Sequence, residues 1–392
     1  MDTKGAIRER VEQSREKLLD LSHRIHANPE LGFEEEKSAR WMCEYLADAG
    51  FAIESGVCAM PTAFIARAGT GPLHIAICAE YDCLPGIGHA CGHNIIAAMA
   101  AGAGAAAARV ADDLGLTVSV IGTPAEEVGD ASGKILLLER GAFDGVHAAM
   151  MTHPAPLDMA LPPIIAIATF DVHYTGKEAH ASAFPEAGVN AADALTIAQT
   201  SIGLLRQHIG HNDRVHGIVT HGGDAPNIVP AHTSARYMVR AKTLRDLEQI
   251  RRRVTNCFEA GALATGAKLE IRGGGKPYAE MVHDHALAGF YQRNAEQTGR
   301  TFLNLPGMDR AAGSTDMGNV SIAIPSIHPM IGINSLPAIN HQPEFTAHCI
   351  STDADRAVFD GALAMAWTIA DAASDQPTRE RLLARENRPS AA

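Results

Sequence analysis

Basic side chains and aromatic rings are both scarce in this chain. Lys and Arg number 33 against 45 Asp and Glu, the formal net charge is -12, and aromatic residues make up 5% of the 392 residues. A nucleic-acid-binding surface needs a stripe of Lys and Arg to face the phosphates, and the sequence contains no such stripe. We therefore expect no nucleic-acid partner.

Long uncharged apolar runs are missing as well. Residues 1–16 are charged and lack the apolar core of a signal peptide. Segment 89–109 is apolar, but Ala and Gly dominate it and His and Asn stand near its start, which is typical of a buried helix in a soluble protein. These absences predict a cytoplasmic protein without a membrane partner.

The cysteines do not form a disulfide framework. They are odd in number, scattered and mostly set in apolar segments, a pattern that favours reduced thiols in a cytosolic enzyme. The seven are Cys43, Cys58, Cys78, Cys83, Cys91, Cys257 and Cys349.

Strand and helix patterns alternate through the first part of the chain. Apolar spacing predicts helices over 4–27, 34–49, 95–110 and 131–141, and strands at 62–67, 73–79, 117–122 and 147–152. Such alternation favours an α/β fold with a mostly parallel sheet flanked by helices.

The pattern changes after Pro162-Pro163. Strands at 165–175, 214–221, 232–242 and 267–272 with helices at 189–208 and 243–264 predict an inserted α+β module of ferredoxin-like type. Beyond Pro277 we expect a helix at 283–298, a Gly-rich loop at 307–319, a strand at 320–324, a helix at 352–373 and a frayed tail from Asp375. The predicted boundaries are 1–164 and 278–392 for a first domain in two parts, and 165–277 for the inserted domain.

Side chains suited to metal chemistry follow the predicted strands. Cys91 and His93 lie just after strand 73–79, at the position where sites form in open α/β sheets. Thiolate and imidazole are ligands for zinc and related divalent ions. A Cys-Gly-His segment taken alone is more typical of a small buried thiol beside loop histidines.

The next two strand ends repeat this arrangement. Glu126 and Glu127 end one strand, where one carboxylate can ligate a cation while its neighbour faces water, although a solvated acidic turn before a helix is the plain alternative. His153 ends the following strand, and His341 lies in a late loop. Because parallel strands end at one edge, these side chains together predict a site for two divalent ions.

The motifs, taken in order, resemble the dinuclear metallo-amidohydrolase and peptidase superfamily. The resemblance covers roughly residues 15–370 and is to the aminoacylase-1-like group, in the branch of hippurate hydrolases, auxin-conjugate hydrolases and aminobenzoyl-glutamate hydrolase. The motifs are Glu80-Tyr81-Asp82-Cys83-Leu84-Pro85, His89-Ala90-Cys91-Gly92-His93-Asn94, Pro124-Ala125-Glu126-Glu127, His153-Pro154, Glu178-Ala179-His180-Ala181-Ser182, Ala225-Pro226-Asn227-Ile228-Val229-Pro230 and Asn340-His341-Gln342-Pro343-Glu344-Phe345.

The resemblance implies a role for each of these positions. Cys91 would bridge two ions of manganese or zinc, with cobalt as a further candidate, and the remaining ligands would be His93, Glu127, His153 and His341. Glu126 would be the general base, and Asp82 would orient a ligand. A turn-capping carboxylate is an equally consistent interpretation of Asp82.

The inserted domain resembles the lid and dimerisation domain of that family. There His180 would polarise the scissile carbonyl in the partner subunit of a homodimer, and Asn227 would hold the substrate's carbonyl or carboxylate; an ordinary surface histidine is the alternative for His180. The chain departs from the family where Phe184-Pro185-Glu186 replaces a common Pro-His pair. Residues 313–319 resemble a segment expected to line the acyl-side pocket.

The sequence thus predicts a metal-dependent hydrolase for the amide of an N-acyl or N-aroyl amino acid, such as aminobenzoyl-glutamate, or of a dipeptide. Its substrate would be a small molecule, and one product a free amino acid. Two alternatives remain, a hydrolytic deaminase of an aromatic amine and a non-catalytic metal-binding dimer. The second carboxylate at Glu126 argues against a simple scaffold, which needs only Glu127.

Overall fold

The computed structural model describes residues 2–302 and 312–384. The first part of the chain forms α1 (Thr3–Gln13), α2 (Arg15–Ala27), α3 (Glu36–Asp48), β1 (Ala52–Ser55), β2 (Phe64–Ala68), β3 (Leu73–Ala79), α4 (His93–Ala108), α5 (Ala111–Leu114), β4 (Leu116–Gly122), α6 (Gly133–Glu139), β5 (Ala148–Met150) and β6 (His153–Ala155). The last part forms α9 (His285–Glu296), α10 (Met317–Ala323), β11 (Ser326–Ile327), β12 (Met330–Gly332), α11 (Pro343–His348), α12 (Thr352–Ser374) and α13 (Gln376–Leu383).

The central sheet has the strand order β1-β2-β4-β3-β5-β11. Strand β3 is parallel to β4 and β5, and β11 is parallel to β5, whereas β1 and β2 form an antiparallel edge. Strands β3 and β4 are buried almost throughout because helices cover the sheet. The predicted mostly parallel sheet flanked by helices is confirmed.

Helix α4 explains why the chain carries a long Ala and Gly run. Every residue from His93 to Ala107 is buried, because the helix lies between α12 and the sheet. A Cβ atom at Gly102 would lie 2.9 Å from a Leu18 methyl carbon and 3.2 Å from the Ala362 Cβ. Only very small side chains allow the helices to approach so closely.

The inserted segment forms a sheet of its own. It contains β7 (Ala166–Thr175), α7 (Ala191–Leu205), β8 (Arg214–His221), β9 (His232–Ala241), α8 (Leu244–Thr265) and β10 (Lys268–Gly273). The antiparallel order is β10-β7-β9-β8, and both helices pack on one face around a separate hydrophobic cluster. All the strands and helices predicted for the module are present, while the exact domain boundaries stay a prediction.

Some predicted elements differ from the structure. Residues 320–324 were expected to be a strand because Val320, Ile322 and Ile324 favour one, but Met317–Ala323 is a helix that buries Met317 and Val320 three positions apart. Within the tail expected to fray from Asp375, Gln376–Leu383 instead forms α13, capped by Asp375 and anchored by buried Leu382, and residues 385–392 lie outside the described part of the chain. The predicted helix over 4–27 breaks at Ser14. Part of the predicted loop 307–319 lies outside the described residues.

Membrane-spanning potential can be assessed for the described helices. None of the helices within 2–302 and 312–384 combines the length and the apolar character needed to cross a bilayer.

Candidate metal centre

The carboxyl ends of the parallel strands bring distant side chains to one place. The loop after β3 carries Cys91 and leads into α4 at His93, while β4 leads to Glu126 and Glu127. His153 begins β6, which pairs in parallel with β12. The loop beyond β12 returns to this edge, where the His341 backbone N–H donates to the Ala90 carbonyl over 2.9 Å.

Two groups of ligand atoms share a single thiol. The Cys91 Sγ lies 3.5 Å from His153 Nε2 and 3.4 Å from His341 Nε2. The Glu127 Oε1 lies 3.8 Å from His93 Nε2 and 3.7 Å from His341 Nε2. In each group the ligand atoms lie within 4.8 Å of one another, and the groups are Cys91 with His93 and His153, and Cys91 with Glu127 and His341. The five ligands predicted from the sequence therefore converge, with Cys91 common to both groups.

Hydrogen bonds prepare two of the imidazoles as ligands. The His93 Nδ1 lies 3.0 Å from Asp82 Oδ1, and the His153 Nδ1 lies 2.8 Å from the Pro154 carbonyl oxygen. Since these oxygens can only accept, each Nδ1 carries a proton, and Nε2 is left as the ring nitrogen that can ligate a metal. Asp82 Oδ2 also accepts from the Glu127 backbone N–H at 3.0 Å. The Asp82 carboxylate therefore contacts two of the five predicted ligand residues.

The electrostatics of the site favour positive charge. Burial raises the pKa of Cys91 and of Glu126 well above their ordinary values, and neighbouring carboxylates raise both further. Burial alone would lower the pKa of His93, but Asp82, Glu80 and Glu127 outweigh it and raise the value to about 10. Bound cations would relieve the repulsion among these carboxylates and the thiol.

Unpaired buried atoms support the same conclusion. Glu80 Oε2, His93 Nε2 and Glu127 Oε1 are buried and have no hydrogen-bond partner among the described residues. Buried polar atoms are normally paired, and lone pairs of carboxylate and imidazole facing one another suit divalent cations. The residues present therefore fit a metal site, whose open side is at His341, with 59% of its side chain exposed.

The turn that holds Glu126 is strained and heavily supported. Ala125 adopts a left-handed conformation with φ 59°, which costs energy for a residue other than glycine. Its N–H donates to Glu35 Oε1 over 2.7 Å, and Thr62 donates to Glu35 Oε2 over 2.9 Å. The Tyr278 hydroxyl donates to the carbonyl of Glu126. Sequence reasoning missed Glu35 and Tyr278, because no local pattern connects them to residues about 90 and 150 positions away.

A buried ion cluster lies beside the site and was also missed. The Lys134 Nζ lies 2.5 Å from Glu80 Oε1 and 2.6 Å from Asp316 Oδ1, and all three side chains are fully buried. Although burial raises the pKa of Glu80, Lys134 and then His93 lower it to about 2. Asp316 contacts Lys134 and Ser132, and a role for residues 313–319 in an acyl-side pocket stays a prediction. The only feature of the sequence that could have indicated this cluster was an isolated Lys, Lys134, within an apolar helix.

Another missed residue is His328. It is buried, its ring stacks on His153 with centroids 5.6 Å apart, and neither ring nitrogen has a partner in the described part of the chain. Its pKa is lowered to about 3, and burial is the largest cause. A neutral imidazole there packs behind the ligand His153 without adding charge.

The remaining predicted site residues lie on the inserted module. His180 and Asn227 are exposed, and their segments are joined by a bond of 3.0 Å from the Ala181 N–H to the Asn227 carbonyl. Within the described ranges, the recorded side-chain bonds of His180 run only to Ser182 and Ala183. The structure thus places the segments of His180 and Asn227 side by side, and no side-chain hydrogen bond within the described ranges joins His180 to the five converging ligands.

Glu35 gives a pH-dependent prediction. Burial, followed by Asp82, raises its pKa from 4.5 to about 7 in the folded protein, so the neutral form stabilises the fold below pH 4.5 and this contribution is lost as the pH rises through 7. Glu35→Gln keeps the shape and cannot ionise. Its unfolding free energy relative to wild type should rise by about 3 kcal/mol between pH 4.5 and 8.

Urea denaturation at both pH values measures this difference. Glu36→Gln, at the exposed neighbouring position, is the control. If the difference in unfolding free energy between Glu35→Gln and wild type stays constant with pH, the raised pKa of Glu35 is contradicted.

Comparisons with known proteins agree with this geometry. The family model for peptidase family M20/M25/M40 matches residues 76–355. The chain is 38% identical to the Xaa-Arg dipeptidase of Mus musculus, covering 93% of this chain and 87% of that protein. It is 35% identical to one of the subunits of the p-aminobenzoyl-glutamate hydrolase of Escherichia coli, covering 67% of this chain and 58% of that protein.

A solved structure shares the fold. The YXEP protein of Bacillus subtilis, described as a dinuclear metal binding peptidase, superimposes with a TM-score of 0.68 at 21% identity, covering 92% of this chain and 99% of that one. The family match spans most of the chain, and relatives at 35–38% identity are named as a dipeptidase and a hydrolase. The chain therefore belongs to peptidase family M20/M25/M40, and it is a metal-dependent hydrolase of amide or peptide bonds.

Proposed function

We propose that this enzyme cleaves the amide of a dipeptide or of an N-acyl or N-aroyl amino acid and releases a free amino acid. The observation that carries the proposal is the buried carboxylate of Glu126 beside the five converging ligand side chains. The names of the relatives support the substrate class, since a dipeptidase and an aminobenzoyl-glutamate hydrolase both cut an amide at the nitrogen of an amino acid.

Two divalent ions fit the ligand atoms. Cys91 would bridge them, with His93 and His153 on one ion and Glu127 and His341 on the other. When bound, the ions supply Lewis acidity that activates water and polarises a carbonyl. A mixed set of thiolate, imidazole and carboxylate suits zinc, manganese or cobalt.

Glu126 is suited to moving a proton. Its pKa is raised well above the ordinary value, first by burial and then by Glu80 and Glu127. Bound cations would lower this pKa and leave the carboxylate ionised, so that it can accept a proton from the attacking water and pass it to the leaving amine. Asp82 positions both His93 and Glu127 during this transfer through its bonds to them.

His180 is prepared to donate to the substrate's carbonyl oxygen. The backbone N–H groups of Ser182 and Ala183 both point at its Nδ1 over 3.3 Å. That nitrogen must therefore accept, so the proton lies on Nε2 and faces outward. Asn227, next to it in space, would hold the substrate's carbonyl or carboxylate. Both side chains are exposed, and no hydrogen bond among the described residues joins them to Glu126. We propose that they act on the site of a partner subunit in a homodimer.

A substrate panel tests the reaction class. Dipeptides with C-terminal Arg or other residues, aminobenzoyl-glutamate, hippurate, acetyl-amino acids, indole-acetyl-amino acids and β-alanyl dipeptides are incubated with enzyme loaded with zinc, manganese or cobalt. We expect a free amino acid from at least one substrate, and no product from chelator-treated enzyme. Ammonia as the sole small product would favour deamination instead.

Removing the proposed base gives a sharper prediction. Glu126→Gln cannot accept a proton, so turnover should fall by about 10³, while two ions per chain, measured by elemental analysis, are retained. Glu54→Gln, at an exposed surface position, is the control and should keep wild-type turnover. Retention of more than a tenth of the wild-type rate in Glu126→Gln would refute the role of Glu126.

Mixed dimers test the contribution of His180 across subunits. His180→Ala and Glu126→Gln should each be inactive alone. After mixing and subunit exchange, one site in each heterodimer combines an intact Glu126 with an intact His180, so about a quarter of wild-type activity should return. Activity that stays at the level of the separate variants would exclude action across subunits.

A further inference from the structure

Glu80 has a bonding pattern that a purely structural carboxylate would not need. It directly follows strand β3, and its side chain is fully buried. One oxygen, Oε1, lies 2.5 Å from the Lys134 ammonium. The other, Oε2, has no hydrogen-bond partner among the residues that the structure describes. Half of this carboxylate is thus paired and half is left open.

The open oxygen faces an open imidazole nitrogen. Glu80 Oε2 lies 3.4 Å from His93 Nε2, which is also buried and has no partner in the described ranges. Since Asp82 bonds to Nδ1, Nε2 is the nitrogen of His93 that can ligate a metal, and a bound cation displaces any proton from it. Glu80 Oε2 and His93 Nε2 would then both be free to bind one ion between them.

The separation suits two ligands of one ion. Oxygen and nitrogen ligands about 2.1 Å from a tetrahedral ion lie about 3.4 Å from each other. The same reasoning applies to Cys91 Sγ, which is 3.5 Å from His153 Nε2 and 3.4 Å from His341 Nε2. Glu80 is therefore placed relative to His93 as the recognised ligands are placed relative to one another.

Lys134 fixes the direction of the open oxygen. Its ammonium also pairs with Asp316 Oδ1 at 2.6 Å, and Asp316 Oδ2 accepts from the Ser132 hydroxyl at 2.7 Å and from the Lys134 N–H at 3.0 Å. Each oxygen of Asp316 is thus bonded, whereas Glu80 Oε2 is not. This contrast within one cluster indicates that Oε2 is reserved for a group from outside the chain.

We propose that Glu80 is a sixth ligand of the metal centre, binding through Oε2 the ion held by Cys91, His93 and His153, with Lys134 as its positioning residue. The inference rests on the proposed two-ion centre and adds to its ligand set. Each ion would then have one carboxylate, Glu80 or Glu127, in addition to the shared thiolate.

Zinc titration of the metal-free full-length protein against a chromophoric chelator tests the proposal. Wild type should bind two ions per chain. Glu80→Gln should bind one ion with wild-type affinity and the other at least about 100-fold more weakly. Glu54→Gln, at an exposed surface position, is the control, and it should bind both ions normally.

A crystal structure of zinc-loaded wild type decides the contact directly and does not depend on the folding of a variant. A Glu80 Oε2 to zinc distance of about 2.0–2.2 Å would support the proposal. A distance beyond about 3 Å, or two unaltered affinities in Glu80→Gln, would overturn it while leaving the two-ion centre intact. Wild type that binds fewer than two zinc ions would instead contradict the proposed function itself.

Discussion

The structure depends on one electrostatic constraint, the collection of acidic groups at a dry edge of a parallel sheet. Burying several ionised carboxylates together is very unfavourable unless positive charge compensates them. The groups are Glu80, Asp82, Cys91, Glu126 and Glu127. Lys134 pairs with one of them, and the others face one another across the space in which a metal-dependent hydrolase holds its ions.

The surrounding chain is organised to tolerate that constraint. Asp82 bonds to both His93 and Glu127, while Glu35 and Tyr278 hold the backbone of the turn around Glu126. These contacts come from the loop after β3, from the start of α3 and from the segment that directly follows the inserted module. The same network explains how left-handed Ala125 persists, since several bonds outweigh the cost of one unfavourable φ.

The site is buried on one side and exposed on the other. Its inner side is sealed by Glu80, Lys134 and Asp316, all fully buried, whereas His341 on its outer side is largely exposed. Among the described residues, the exposed side of the site is therefore the one at His341. The module with His180 and Asn227 has a hydrophobic core separate from that of the metal-binding domain.

Much of the fold followed from local patterns. Strands β3 and β4 are continuous apolar runs, and the alternation in Ala166–Thr175 matches a strand with one buried face. The strand predicted at 320–324 was wrong. The β-branched residues there favour a strand, but Met317–Ala323 forms a helix because one face of that helix is buried. The terminal helix was missed since its stability comes from Leu382 and from the bonds of Arg379 to Leu114 and Gly115.

The sequence by itself determined the ligand types and their order, because each follows a recognisable strand or lies in a motif that resembles a known family. It also determined the α/β class, since apolar periodicity is a local property. Only the tertiary structure decided which carboxylates are left unpaired, which lysine holds Glu80, and that Glu35 supports the turn at Ala125. Those contacts join residues 54 to 90 positions apart, and such pairings depend on how the sheet and helices pack rather than on any neighbouring residue.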